Sequence, residues 1–309
     1  MRLALTADGA LGIEIAGGAA PLARRWLPRD LAPAVAPARA LITVSPGGPG
    51  EAPDSLPTLA VGPVRGWLEG RRLVLRGTHA AGEVDLDAAR AALRAPPGGG
   101  GEAAELDLYG MLTISAGVLL AGLGRALIHG AAAAPAGSDG AWVLVGDSGS
   151  GKSTTCATLA RAGWTYLSDD QVVLAPAERG VHVEGWVRPF HLDAGWERGA
   201  RTGVRTSVDP AVLLPGARRA GAPLAGLLLP GVSADRPTAV APADPAEALA
   251  ELVRQSPWVL LDRGAAPRVL DLLSTAAARC RPPLRLSLGA DCYGAPERLV
   301  SVLAASASV

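Results

Sequence analysis

The segment Val143-Leu-Val-Gly-Asp-Ser-Gly-Ser-Gly-Lys-Ser-Thr154 constrains this chain more than any other stretch. Gly146, Gly151, Lys152 and Ser153 satisfy the spacing G-x-x-x-x-G-K-[ST] of a phosphate loop, the Walker A pattern. An apolar strand feeds it and Ser153 to Ala162 reads as a helix, so loop amides and the helix N-terminus would converge on phosphate oxygens. Glycine is needed where the backbone takes positive φ and approaches a phosphate closely. Lys152 would place its charge between the β- and γ-phosphates, and Ser153 would offer its hydroxyl to Mg²⁺. Asp147, Ser148, Gly149, Ser150 and Thr154 complete the cradle. Lys152 is also the single lysine of the chain, beside 28 arginines. Surface positions accept either cation, but a site that needs a compact ammonium cannot take a planar guanidinium, which singles out Lys152.

The 309 residues are enough for one large domain or two modest ones, with a core that needs no staples. Charged residues make up 19% against 49% hydrophobic, and 29 basic residues balance 29 acidic ones. Such a chain has no field to hold nucleic acid or an anionic membrane. Cys156, Cys280 and Cys292 are an odd count without metal-ligand spacing, which fits a reducing, cytoplasmic setting. The uncharged run from Leu108 to Gly124 is shorter than the ~20 apolar residues of a membrane span and holds four glycines, so it reads as a buried helix.

Residues 1–95 suggest a smaller, β-rich domain of unknown role: strands at Arg2 to Leu5, Leu11 to Ala16 and Ala40 to Val44, and a hairpin through Glu69-Gly70. Pro96-Pro-Gly-Gly-Gly-Gly101 is the strongest breaker and marks the domain boundary. Residues 102–309 then form the catalytic domain: a helix near Ala103 to Arg125, a strand from Leu127 to Ala132, a disordered-looking turn over Pro135 to Gly140, and the strand Ala141 to Val145 that enters the phosphate loop. The tail alternates helices (Pro245 to Arg254, Val269 to Arg279, Glu297 to Ala304) with the strand Leu284 to Leu288, a structural part in which Trp258 and Tyr293 pack.

A second apolar strand, Trp164-Thr-Tyr-Leu-Ser-Asp-Asp-Gln171, ends in two carboxylates 17 residues beyond Lys152. A right-handed crossover would return it beside the first strand and bring Asp169 and Asp170 to the phosphate edge. Adjacent strand residues face opposite ways, so both acids reach one ligand only where the strand breaks. Phosphoryl transfer to a hydroxyl needs one carboxylate to take the proton and another on the metal side.

With Gly146 to Ser153 followed by Leu167-Ser-Asp-Asp170, and with His129-Gly130 ahead of the loop strand, the chain resembles the HPr kinase/phosphorylase superfamily. It is more closely similar to the HPr-kinase-like proteins encoded with ribosomal (lasso-type) peptide pathways. The resemblance runs over about residues 105 to 305 and implies an α/β fold akin to phosphoenolpyruvate carboxykinase, a mixed sheet with covering helices around the phosphate loop. It implies transfer of the γ-phosphate of ATP, with Mg²⁺, to a serine hydroxyl. Lys152 and Ser153 match the nucleotide and metal ligands, Asp169 the proton acceptor and Asp170 the metal-side carboxylate, two roles that could be exchanged. His129 would sit near the reacting phosphates. The chain lacks Glu-Ile-Arg-Gly-Leu-Gly, having only Val183-Glu-Gly-Trp-Val-Arg188, and lacks Pro-Gly-Arg-Asn, which favours an acceptor other than HPr, such as a precursor-peptide serine.

The arginines Arg188, Arg198, Arg201, Arg205, Arg218 and Arg219 cluster between the core elements, and Arg188 is the strongest candidate for neutralising transition-state charge. The glycine-punctuated segment Gly195 to Gly203 could close over substrate. Cys156 follows the phosphate loop as a packing residue. The expected partners are a nucleoside triphosphate and a peptide or protein with an acceptor serine, with homo-oligomerisation open. Two other readings stand beside this one: a kinase for free serine or another small hydroxyl metabolite, and a non-catalytic nucleotide-gated assembly module.

Overall fold

The computed structural model describes the chain except residues 22, 24–26, 28–30, 35, 99, 187, 199–201, 211–217, 234, 279–280, 293–294 and 307–309, so Cys280, Tyr293 and Arg201 lie outside the described residues. The structure is mixed α/β, with two large sheets and few helices, and divides into two units. One comprises Met1–Ala126 with Pro257–Val269, the other Leu127–Ser256 with Leu270–Val309.

In the first unit, eight strands run β1 (Arg2–Ala4), β2 (Leu11–Ile15), β3 (Ala40–Pro46), β4 (Leu59–Val61), β5 (Val64–Glu69), β6 (Arg72–Arg76), β7 (Ala81–Asp85) and β8 (Arg90–Ala95). They form one sheet in the order β1-β2-β3-β8-β7-β6-β5-β4. β2, β3 and β8 pair in parallel and the rest antiparallel. Alternation sets the buried face: in β8 each of Ala91, Leu93 and Ala95 is buried while its neighbours are exposed. Helix α1 (Gly101–Gly122) packs on β2, β3, β5, β7 and β8. Apolar nearly all round, it has 78% of its most apolar window buried within the structure, as a helix without a polar face must be.

The glycine breaker therefore leads into a helix of the first unit rather than separating the units, and the division falls after Ala126. The reason is physical: the face of the β1–β8 sheet needs an apolar cover, and α1 supplies it. The segment at Pro257–Val269 joins the same unit, with Trp258 3% exposed against Gly117 of α1.

The second unit carries β9 (Ala126–Ala134), β10 (Ala141–Val145), β11 (Thr165–Ser168), β12 (Gln171–Pro176), β13 (Val181–Gly185), β14 (Phe190–Asp193), β15 (Arg205–Val208), β16 (Gly221–Val232), β17 (Ala239–Pro242) and β18 (Leu284–Leu288). Its main sheet runs β10-β9-β12-β13-β16-β18-β17, and β16 also pairs with β10, so the first five strands close into a ring. β10 and β18 run parallel to β16. Helices α2 (Lys152–Arg161), α3 (Pro245–Arg254), α4 (Ala266–Ala278) and α5 (Pro296–Ser306) complete the set of described helices. Trp142, Leu144, Leu159, Tyr166, Phe190, Leu228, Leu286 and Leu299 meet in the core of this unit.

The turn over Pro135 to Gly140 is ordered, closed by Ser138 N–H to the Pro135 carbonyl at 3.0 Å and by the Ser138 hydroxyl to the Gly140 carbonyl at 3.2 Å. It makes β9 and β10 a hairpin. β11 accordingly lies beside β9 rather than beside β10, because β9 already occupies that edge. Antiparallel to the strand that β10 also opposes, β11 still runs in the direction of β10 and ends on the same side as the phosphate loop.

A Cβ on Gly117 would lie 2.3 Å from the Trp258 ring, whereas one on Gly122 would meet nothing within 4 Å. Gly117→Ala should lower stability by about 1–3 kcal/mol through overpacking, while Gly122→Ala should leave it unchanged or raise it by ~0.5–1 kcal/mol. Thermal unfolding of the two variants checks this.

Candidate functional site

The glycine-rich loop from Gly146 to Gly151 leaves β10, all five of whose residues are buried, and folds as its glycines require. Gly149 and Gly151 take φ of 83° and 97°, the left-handed region where a side chain is strained. Gly146 has the Ser150 hydroxyl 2.8 Å from where its Cβ would be, so a side chain there would have to displace Ser150. Ser150 N–H bonds the Asp147 carbonyl at 3.1 Å, and the Thr155 hydroxyl bonds the Gly151 carbonyl at 2.8 Å. Lys152, 7% exposed, curls back on its own loop and donates to the carbonyls of Gly146 at 2.6 Å and Asp147 at 3.1 Å. Burial pushes its ammonium below the usual lysine range, and the charges of Asp169, Asp170, Glu251 and Asp147 oppose that.

Ser148, Gly149, Gly151, Lys152, Ser153 and Thr154 line a cleft of about 560 Å³, together with His129, Asp169 and Asp170. Gly146, Asp147 and Ser150 are not on its wall. Asp147 Oδ1 accepts from Gln255 Nε2 at 3.4 Å, and Gln255 Nε2 also reaches Glu251 Oε1 at 2.9 Å, so the end of α3 steadies the loop. Gln255 and Glu251 carried no motif, and nothing in the sequence marked them.

The two acids meet the cleft because the chain breaks between β11 and β12. Asp170 has φ of 83°, one of two left-handed residues other than glycine among the described residues. Gly130 N–H bonds its carbonyl at 3.1 Å, and the Ser168 hydroxyl crosses the break to the carbonyls of Gln171 at 2.5 Å and Trp186 at 2.7 Å. Strand alternation is thus interrupted where two neighbouring carboxylates must serve one cleft.

Their surroundings differ. Asp170 Oδ1 lies 3.3 Å from His129 Nδ1, and Oδ2 accepts from Arg188 Nη1 at 2.9 Å. Arg188 is 5% exposed, does not line the cleft, and holds Asp170 in place. Tyr166 donates its hydroxyl to the Arg188 carbonyl at 3.3 Å. Asp169 is 2% exposed, and its Oδ1 is buried with no hydrogen-bond partner among the described residues. Burial first, then the Asp170 charge, pushes its carboxyl up to about 7, while Ser153, His129 and Lys152 pull the other way. Cys156 is buried, its thiol 3.6 Å from the Ser168 carbonyl and pushed up by burial, as a packing residue should be.

The cleft is also lined from β14, β15 and the turn between them, through His191, Asp193, Trp196, Gly203 and Arg205. Of these, the sequence pointed to Gly203 and Arg205 through the glycine loop and the arginine cluster. His191 and Asp193 were missed, although the pattern Phe190-His191-Leu192-Asp193 alternates apolar and polar residues as a half-buried strand does. The segment is anchored at its ends: Asp193 Oδ1 accepts from Gly195 N–H at 2.8 Å, and Asp193 Oδ2 accepts from Gly203 N–H at 2.9 Å.

Compared with known proteins, the chain matches no family profile and no curated sequence. Among solved structures it is similar to the HPr(Ser) kinase/phosphatase from Coxiella burnetii, at 13% identity and a TM-score of 0.28, over 35% of this chain. The match spans 66% of that protein, just under two thirds of its length.

Because the Asp169 carboxyl titrates near 7 when folded against 3.8 for an ordinary Asp, the native state binds more protons than the unfolded chain between those values. Its contribution to stability is therefore lost as pH rises through that window, on the order of a few kcal/mol. Asp169→Asn should melt higher than the parent at pH 8, with the gap shrinking towards pH 5. Melting curves at the two pH values decide it, and a gap independent of pH would contradict the buried-carboxyl account.

Proposed function

We propose that this protein is a nucleoside-triphosphate kinase that transfers the γ-phosphate, with Mg²⁺, to a serine-type hydroxyl of a peptide or protein. The observation that carries the reading is the meeting of a glycine-rich loop bearing Lys152 and an acid pair, Asp169 buried and Asp170 half-buried, in one cleft. Lys152 already points into the loop, bonded to carbonyls that a phosphate would displace as partners. Gly149, Gly151 and the start of α2 offer backbone N–H groups to the same phosphates.

The oxygen donors of the cleft suit a hard cation. Mg²⁺ is held by one or two carboxylates and substrate phosphates, keeping several waters, so a cluster of three ligating side chains is not required. Ser153 and Asp170 would hold it, and the ion would offset charge on the phosphate oxygens. That leaves the carboxylate of Asp169, which lines the cleft, to accept the proton of the incoming hydroxyl. A carboxyl near 7 suits that task, because a general base works best close to the operating pH. His129 and Arg188 fix Asp170, so the acid on the metal side is aimed before any ligand arrives.

The cleft volume also falls in the ~300–1,000 Å³ range of small-molecule pockets, which favours a kinase for a small hydroxyl metabolite as the second reading. Incubation with γ-labelled ATP and candidate acceptors, with the label located by mass spectrometry, separates the two. Lys152→Ala should lose nucleotide-dependent labelling of any acceptor. Asp169→Asn should still bind nucleotide but transfer at least about a hundredfold more slowly. Transfer at the parent rate by Asp169→Asn would remove the proton-acceptor role.

A further inference from the structure

The cleft contains a cation that the reaction described above does not use. In the register of β14 and β15, Phe190 lies opposite Val208, His191 opposite Ser207, Leu192 opposite Thr206 and Asp193 opposite Arg205. Phe190 and Leu192 are buried, at 0% and 1% exposure, so the alternate residues His191 and Asp193 face away from the core, with Arg205 beside them. All three line the cleft.

Opposite charges directly across an antiparallel pair ordinarily interact. Here Asp193 commits its carboxylate to the turn instead: Oδ1 to Gly195 N–H at 2.8 Å, to the Thr202 hydroxyl at 2.8 Å and to Thr202 N–H at 2.9 Å, and Oδ2 to Gly203 N–H at 2.9 Å. Those bonds fix the geometry of the strand ends and leave the guanidinium opposite unused. Arg205 is exposed, and no hydrogen bond or ion pair engages its guanidinium among the described residues. Among the described residues, Lys152 is engaged by loop carbonyls, Arg188 by Asp170, and Arg161 by Glu197 at 3.6 Å and the Trp196 ring at 5.4 Å. The strands that carry Arg205 are anchored by Phe190, whose ring lies 5.0 Å from that of Tyr166. Arg205 is thus the one arginine on the cleft wall among the described residues, held on a fixed backbone with its donors free.

We propose that Arg205 is an oxyanion-binding residue of this cleft, its planar fork offered to a phosphate or carboxylate of the bound ligand. A guanidinium matches such groups bidentately, and a triphosphate carries more charge than one lysine and one divalent ion balance. The oxyanion is either the terminal phosphate of the nucleotide or an acidic group on the acceptor. The assignment rests on the kinase reading and deepens it by naming a second anion contact on the cleft wall.

Calorimetric titration of the parent, Arg205→Ala and Arg205→Lys with ADP, with a non-hydrolysable ATP analogue and with pyrophosphate, each with Mg²⁺, tests it alongside the KM of the acceptor. An exposed strand position tolerates both substitutions, which circular dichroism and melting verify. Arg205→Ala should weaken at least one ligand about ten- to a hundredfold, and Arg205→Lys should recover part of the loss. A loss for the triphosphate but not for ADP identifies the terminal phosphate, and a raised acceptor KM with unchanged nucleotide affinity identifies an acidic acceptor. Parent-like behaviour of Arg205→Ala in every titration and in KM overturns the proposal and leaves the kinase reading standing. A parent that binds pyrophosphate through Arg205 but no nucleotide overturns the kinase reading and keeps the proposal, and a parent that binds no oxyanion at all overturns both.

Discussion

The site depends on a carboxylate kept out of water. Asp169 is 2% exposed beside a second acid, an arrangement that raises the free energy of its ionised form and is unfavourable for folding alone. It is stable because the surroundings over-determine it. Ser168 bridges the break in the chain with two hydrogen bonds, and Asp170 is clamped between His129 and Arg188. Strain of this kind persists where the structure around it is rigid, and it concentrates at functional sites.

The same logic extends to the phosphate loop. Its two left-handed glycines fix its turn, Lys152 folds back onto its carbonyls, and Gln255 and Glu251 brace it from α3. The second wall, on β14 and β15, is set by apolar residues pointing one way and polar residues the other, so packing of the core and shaping of the cleft are one event.

Much of this was legible in the sequence, and for identifiable reasons. The glycine-rich turn after β10 is readable because its glycines stand at fixed spacing before Lys152, the lone lysine. The break at Asp169 and Asp170 followed from strand geometry, since two adjacent side chains cannot otherwise face one ligand. Pairing partners were not legible: β11 neighbours β9 because the β9–β10 hairpin forms across a turn whose composition suggested disorder. The division between units was also hidden, because a glycine run signals a turn but not whether the following helix packs back on the strands before it. Arg188 illustrates a further limit, as sequence gives a charge but not its direction, and the buried pairing with Asp170 leaves Arg205 on the cleft wall instead.

The central claim is that loop and acids address one triphosphate, and the most direct measurement is a crystal structure with a non-hydrolysable ATP analogue and Mg²⁺. The account predicts the β-phosphate within hydrogen-bonding reach of the loop amides and Lys152. It also predicts Asp170 on the metal side and Asp169 facing the terminal phosphate. Phosphates bound elsewhere, or bound in the loop with both carboxylates turned away from them, would contradict it.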